Sequence, residues 1–480
     1  MTKITFCAIV RDEEALLGGC LDSVKDVVDR MLVVDTGSTD RTREIAREHG
    51  AEVLEFAWCD DFAAARNAVL AHVPDGWLLV LDADERLAPG GGRVLRKLAK
   101  RGGFDCGMLP LHNASELDAS LQDVLSGSKR RGEPVLLPRF LRRTPDLAWE
   151  GIVHENLNAW VARGKRKMAT VEAPIVHYGQ VPDLRAAREK DARNLRLLER
   201  RVELTPDDPV ARTYLAREYE RNGNAAAAIA ETERAWIDLL AARANGLNLD
   251  VVALATLRAF LLIRASRLDE ARAVLDHADP TAPDHPNLNL LRGVLEERVA
   301  LGARTEDELA AALRGAERAL QACLAKRGAA YWCELLPGAT DWSAATRLGT
   351  VHLMQGRPRD AERRFAQALA TKPDHLEARL GVLEAEILRD GSESALAVLE
   401  PLLHGETSDA WALSALACLR LGHANDALSL ALEARRRSAE HPPLAAHRQK
   451  LVEELITVLG ESTPAALPSS ETRSVESEEA

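Results

Sequence analysis

Hydrophobic and polar positions change rhythm twice along this chain. As far as about residue 110, short continuous apolar runs alternate with stretches of helical period. "ITFCAIV" predicts a strand, "EEALLGGCLDSV" a helix, "MLVVD" a strand and "RTREIAREHG" a helix ending at Gly50. "AEVLEF", "FAAARNAVLAHV" and "WLLVLDADE" repeat the strand, helix, strand order. Continuous apolar strands spaced by helices predict a parallel sheet covered on both faces. From about 105 to 180 the pattern turns to β runs and loops: "CGMLPL", "VLLPRFLRR", "LAWEGIVHENL" and "ATVEAPIVHYG". These read as a mixed-sheet extension of the same domain.

Beyond residue 182 the strands stop. "LRAAREKDARNLRLLERRVEL" predicts a long charged helix, and the Ala/Leu/Arg/Glu-rich sequence to 455 keeps a helical period. Segments 211–235, 344–375, 378–403 and 410–437 align as helix–turn–helix units. Each has small residues in its first helix, a turn glycine (Gly223, Gly356, Gly391, Gly422) and an alanine about five positions later. The last three recur at steps of about 34 residues, the period of tetratricopeptide repeats. Between 244 and 322 the pattern is degenerate. One such unit cannot bury its apolar face alone, so stacking into a solenoid is expected. The expected division is an α/β domain over 1–181, a linking helix over 182–204, an all-α tetratricopeptide-like repeat domain over 205–457 and a disordered tail over 458–480. The tail lacks apolar periodicity.

Composition narrows the class. At 480 residues the chain has room for two or three domains. A net charge of −12 argues against a nucleic-acid partner and against broad adhesion to anionic membranes. The seven cysteines (7, 20, 59, 106, 323, 333, 418) form no CxxC pair and no regular framework, which fits reduced thiols in a cytoplasm. The first apolar run is too short for a signal segment, and no run approaches the roughly 20 apolar residues of a membrane span. A soluble, cytoplasmic protein without a transmembrane segment is expected.

Candidate chemistry gathers in the first domain. In "VVDTGSTDRT", Gly37 permits an awkward backbone angle and Thr39 or Asp40 can cap the next helix, but neither explains Asp35 at the strand's end. Ligands of open parallel sheets bind beyond the carboxyl ends of the strands, so an acid there is a candidate ligand contact. "WLLVLDADERL" ends in Asp82 and Asp84, flanking one small residue. Two carboxylates so placed can give a divalent cation one direct and one water-mediated contact, leaving positions for phosphate oxygens. A lone DxD is weak, since aspartate is common in turns; here it joins Asp35 and "RDEE" at one sheet edge.

In order and spacing, "CAIVRDEEALLGGCLDSV", "VVDTGSTDRT", "DDFAAARNAVL" and "LVLDADERL" resemble glycosyltransferase family 2, the inverting nucleotide-sugar enzymes of the GT-A fold. "WEGIVHENL" and "PIVHYG" are similar to downstream pieces of one branch. The pairing with tetratricopeptide-like helices is similar to bacterial peptide S-glycosyltransferases of the glycocin type. The resemblance implies a Rossmann-like mixed sheet and a hexosyl donor activated by a nucleoside diphosphate, of the UDP type. It implies nucleotide contacts at Arg11, Glu13, Asp35, Arg66 and Asp82. Asp84 would be the direct ligand of Mg²⁺ or Mn²⁺, with His177 completing the shell as neutral imidazole. The asparagine usual after the first arginine is Asp12 here, so no role transfers to it.

An inverting transfer also needs a base for the acceptor's proton, and Glu155 in "GIVHENL" is the candidate, with His154 beside it. Lys129, Arg130, Arg131, Arg139, Arg142, Arg143, Arg163, Lys165, Arg166 and Lys167 form a basic cluster. It reads either as a solvated face or as a patch for the diphosphate or an anionic acceptor. Three function classes compete: a metal-dependent transferase, a repeat scaffold for protein partners with an inactive first domain, and a nucleotidyltransferase. The last would want a Gly/Lys-rich phosphate loop that "RDEEALLGG" does not supply. Solenoid surfaces favour a peptide or protein acceptor, the basic cluster a polysaccharide or lipid-linked one, and a homodimer through the repeats is the competing role for the helices.

Overall fold

The apolar runs fold where their pattern places them. The computed structural model describes residues 2–179, 181, 190–244, 251–278, 280, 282–329, 331, 333, 335–405, 407–440 and 444–461. In chain order they form β1 (Ile4–Val10), α1 (Leu17–Val24), β2 (Arg30–Asp35), α2 (Thr42–Glu48), β3 (Glu52–Glu55), α3 (Phe62–Ala68), β4 (Trp77–Val80) and β5 (Glu85–Leu87). Then follow α4 (Gly91–Arg101), β6 (Cys106–Asn113), α5 (Leu121–Ser126), β7 (Val135–Arg142), α6 (Asn158–Arg163), β8 (Met168–Thr170) and β9 (Ile175–His177). One sheet runs β3-β2-β1-β4-β7-β6-β9-β5, with β8 on β6. The first four strands are parallel, and β7 joins β4 antiparallel with Leu79 opposite Phe140. The expected mixed sheet is therefore present.

Alternate residues of the same strands enter opposite cores, which is why the runs are apolar throughout rather than alternating. Phe6, Val33 and Leu79 join Leu17, Leu21 and Leu95 on one face. Cys7, Leu32, Val34 and Leu78 join Trp149 and Trp160 on the other. Where parallel and antiparallel halves meet, Trp77 stacks on Phe140 with ring centroids 4.6 Å apart. One expected β run is corrected. "LAWEGIVHENL" is a loop closed by a single bridge, Glu150 to Asn156, because the half-buried Ile152 and the buried Val153 pack against helices instead of pairing with a strand.

The helical part continues as α7 (Lys190–Leu204), α8 (Pro209–Arg221), α9 (Ala225–Ala244), α10 (Val252–Arg264), α11 (Leu268–Ala278), α12 (Pro286–Leu301) and α13 (Glu306–Leu324). It ends with α14 (Trp342–Met354), α15 (Pro358–Thr371), α16 (Leu376–Leu388), α17 (Ser392–Leu399), α18 (Ser408–Arg420), α19 (Ala424–Glu440) and α20 (Ala446–Glu461). The four aligned segments are helix pairs α8/α9, α14/α15, α16/α17 and α18/α19. Gly223, Gly356 and Gly422 take the left-handed φ that a tight helix exit needs, at 76°, 68° and 84°. At the third turn Gly391 does not; Asp390 takes that conformation, at φ 78°. The degenerate stretch hides a further pair, α10/α11, whose left-handed residue is Ser266, at φ 58°. Residues 182–189 of the expected linking helix and 462–480 of the expected tail lie outside the described residues.

By packing, the described residues of Met1–Leu295 and Ala319–Ala344 form one compact unit, and those of Glu296–Arg318 and Ala345–Ala480 form a second. In the first, Asp208 caps α8 by accepting from the Val210 amide at 2.9 Å, with Pro209 at the first helical position. In the second, the Phe365 ring occupies space left by Gly349 and Gly381, where a Cβ would clash. The same unit buries Arg448 completely among Glu384, Glu377 and Asp409, at 2.8, 3.2 and 3.3 Å, with His447 on Glu384 at 3.1 Å.

Candidate active site

Strand register assembles the site at the carboxyl ends of β1, β2 and β4. Asp82 and Asp84 lie in the turn that leads from β4 into β5. β9 lies between β5 and β6, so His177 stands opposite Glu85 on one side and Asn113 on the other. With Asn113 Oδ1 accepting from His177 Nδ1 at 2.8 Å, the imidazole presents Nε2 to Asp84 Oδ1, 3.5 Å away. The next strand-end residue but one is Gly179, and a Cβ there would fall on Asp84 Oδ2 and against His177 Nε2. The missing Cβ is what lets both side chains lie against this backbone.

Arg66 comes from the opposite side. Asp61 caps α3 by accepting from the Ala64 amide at 2.9 Å, and Arg66 sits in that helix's last turn. Its Nη2 donates to Asp82 Oδ1 at 2.8 Å and its Nε to Glu155 Oε1 at 2.5 Å. Arg139 on β7 takes the other Asp82 oxygen at 3.0 Å and also pairs with Glu85. One ion-paired chain thus runs Glu155, Arg66, Asp82, Arg139, Glu85, beside Asp84 and His177. Burial would raise Asp82, but the Arg139 and Arg66 guanidiniums outweigh it and hold the carboxyl well below the usual range. Glu85 is pushed up to about 7, burial outweighing Arg139, with Asp82 and Asp84 adding like charge. Burial would depress His177, but its hydrogen bond to Asp84 and the nearby carboxylates hold it above its ordinary value.

The nucleotide-side residues split. Arg11 is exposed at the end of β1 and lies 3.8 Å from Asp12. The Glu13 amide donates to Thr42 Oγ1 at 2.7 Å. Asp35 is 2% exposed, and its oxygens accept from the Gly37 and Ser38 amides at 3.2 Å. It therefore holds its own turn. Asp12, to which no role was transferred, has φ 52° and accepts from Thr39 N at 2.7 Å, tying the β1–α1 loop to that turn.

His154 does not join the ion-paired chain. Its ring lies flat on Tyr214, centroids 4.1 Å apart and planes 1° from parallel, and burial with nearby Arg201 and Arg217 lowers its pKa to about 4. The basic cluster is dispersed rather than a patch. Lys129 pairs with Glu116, Arg142 with Asp105, Arg163 with Glu150 and Arg166 with Asp146. Arg143 donates to the backbone carbonyls of Val73 and Leu70, and within this group Arg139 is the member that belongs to the ion-paired chain. Sequence reasoning passed over Arg139, Glu85, Asn113 and Gly179 as site residues. The usable signal for Arg139 was an arginine between Pro138 and Phe140 in an otherwise apolar strand.

The sequence model of the family described as Glycosyl transferase family 2 matches residues 5–146. Residues 5–146 carry a glycosyl transferase family 2 domain. This family 2 domain contains β1 to β7 and the whole ion-paired chain except Glu155, with His177 also outside it. A TPR repeat-containing protein of Synechococcus elongatus is 40% identical over 157 residues, 32% of this chain and 35% of that one. Glycosyltransferase SunS of the Bacillus subtilis SPbeta prophage is 26% identical over 223 residues, 45% of this chain and 49% of that one. An uncharacterized glycosyltransferase of Rickettsia typhi is 35% identical over 88 residues, 18% of this chain and 30% of that one. The chain thus spans half or less of the length of these relatives. Among solved structures, a tetratricopeptide repeat protein from Parabacteroides merdae aligns at a TM-score of 0.40 and 14% identity, covering 57% of this chain and 94% of that one. Among the described residues, no helix is long and apolar enough to cross a membrane.

Proposed function

We propose that the chain moves a hexosyl group from a nucleoside-diphosphate donor of the UDP type, with inversion, to a peptide or protein side chain. The observation that carries this reading is Arg66 joining Glu155 to Asp82 beside the Asp84–His177 pair. The acceptor's hydroxyl or thiol attacks the sugar's anomeric carbon from the face opposite the diphosphate, and Glu155 takes its proton. The bond from that carbon to the diphosphate oxygen breaks, and its electron pair leaves with the nucleoside diphosphate. Arg66 orients Glu155, and Arg11 and Glu13 flank the nucleoside. Asp35 acts there through the turn that it holds.

Among the described residues, no three His, Cys, Asp or Glu side chains converge as a metal cage. Asp84 and His177, an oxygen and a nitrogen donor 3.5 Å apart, fit instead an ion that shares its shell with phosphate oxygens and water, the habit of Mg²⁺ and of Mn²⁺. Asp84 and His177 would hold it, and a bound ion supplies positive charge to the departing diphosphate. Helix pairs of the repeat type offer extended surfaces suited to a polypeptide, which favours that acceptor.

The test is a donor-hydrolysis screen over UDP-, GDP- and dTDP-sugars, with and without Mg²⁺ or Mn²⁺. The expected result is metal-dependent release of nucleoside diphosphate from one donor class. No release from any donor, together with no calorimetric binding of UDP, GDP or dTDP, would overturn the reading.

A further inference from the structure

Glu155 lies in an irregular loop, and a loop does not by itself hold a carboxylate in place, because each unfixed residue keeps its backbone entropy. Two sets of contacts restrain this one. From the family 2 domain, Phe62 N donates to Ile152 O at 2.9 Å, and the Asn67 side chain pairs with both backbone groups of Trp149 at 2.9 Å. The second set comes from α7 and α8, beyond the family match. Arg201 on α7, 4% exposed, donates to Val153 O at 2.6 Å and His154 O at 3.1 Å, and is itself held by Asp208 at 2.9 Å. Tyr214 on α8 carries the His154 ring. Val153 is buried with Leu197, Leu198 and Leu215 of the same two helices.

The local backbone is shaped to receive these helices. Gly151 has φ 97°, and a Cβ there would meet Arg201 Cζ at 2.8 Å, so the position needs glycine twice over. His154 is itself left-handed, at φ 50°, a conformation unfavourable to a non-glycine residue that its surroundings must offset. The carbonyl and ring pinned by α7 and α8 belong to the residue directly before Glu155. On the other side of that peptide, Glu155 meets Arg66.

We propose that Arg201 and Tyr214 are positioning residues for Glu155, so that α7 and the first repeat-like helix, α8, complete the active site. This rests on the reading of Glu155 as the base. A break in composition falls at "LTPDDP", between the two helices, but the catalytic apparatus runs through it.

The test uses the full chain and the donor selected by the hydrolysis screen, with UDP, GDP or dTDP to match as the binding probe. Tyr214→Leu keeps apolar volume and removes the flat ring; Tyr214→Phe restores the ring. Tyr214→Leu should lower kcat about 10- to 10²-fold, as expected for a catalytic group displaced by about an ångström, with nucleotide affinity within about twofold. Tyr214→Phe should recover kcat, and amide exchange at 151–156 should quicken in the leucine variant alone. Combined with Glu155→Gln, Tyr214→Leu should cost nothing further. An equal loss in both backgrounds, or wild-type kcat with unchanged exchange, would overturn the proposal. Wild-type turnover of Glu155→Gln alone would instead overturn the base assignment, while the exchange measurement would still report whether α8 holds the loop.

Discussion

Two arginine–carboxylate networks among the described residues differ in what surrounds them. In the second unit, Arg448 is 0% exposed and is enclosed by Glu384, Glu377, Asp409 and His447, all carried on the regular helices α16, α18 and α20. In the first, Arg66 and Arg139 hold Asp82, Glu85 and Glu155, but the carboxylates come from strand ends and loops, and Asp82 keeps 38% of its side chain exposed. Beside it, Gly179 lets the Asp84 carboxylate and the His177 ring approach its backbone more closely than any side chain would allow. A sealed network fastens helices together; an open one on rigid strand ends can exchange partners with a ligand.

If that distinction holds, substitutions should separate activity from stability. Asp84→Ala is expected to lower donor turnover by about 10²–10⁴-fold, the several kcal/mol that a bound divalent ion supplies, with the unfolding temperature unchanged. Loss of folding with retained turnover would reverse the assignment. Glu384→Ala should do the opposite. Removing one partner leaves a buried guanidinium uncompensated, which costs about 3–5 kcal/mol and should show in calorimetry of the second unit's transition, while donor hydrolysis below that transition stays at its wild-type rate.

The sealed network should also set a pH optimum for stability. Burial would raise Glu384, but Arg448 and His447 outweigh it and hold it at about 2, against an ordinary 4.5. Burial would depress His447, but Glu384 holds it above its ordinary 6.5. The depressed acid contributes stability above pH 4.5 that is lost as pH falls towards 2. The raised histidine contributes stability below pH 6.5 that is lost as pH rises through its folded value. The second unit should therefore be most stable between about pH 4.5 and 6.5, and His447→Gln should flatten the alkaline limb, a change of about 2–4 °C in its transition. The smallest effect concerns turns. Gly356→Ala at φ 68° should destabilise by about 1–2 kcal/mol, whereas Ser266→Gly should change stability by less than about 1 kcal/mol, strain relief being offset by chain entropy.

The parallel half of the sheet was legible because both its faces are buried, which writes continuous apolar runs into β1, β2 and β4. The loop at 150–157 was not, because Ile152 and Val153 look like strand residues when their partners on α7 are some 45 positions away. The α10/α11 pair was hidden by Ser266 standing where glycine marks the other turns. In the site, Asp84 and His177 were readable as strand-end ligand types and do stand side by side. Arg139 was absorbed into a basic cluster because spacing along a sequence cannot tell a paired surface charge from one facing a buried glutamate, Glu85. At Asp35 the strand-end position gave no sign that its carboxylate also accepts from the amides of its own turn.

The separation between Arg66 and Glu155, 89 positions, has a consequence for how the protein is made. Asp82 and Asp84 leave the ribosome early, while Tyr214 follows Asp84 by 130 residues. At about 5–20 residues per second this is an interval on the order of ten seconds. Throughout it, the nascent chain carries Asp82 and Asp84 without the helices that fasten the Glu155 loop. On the proposed reading of Glu155 as the base, transfer would reach its full rate only once the first helical hairpin has been translated.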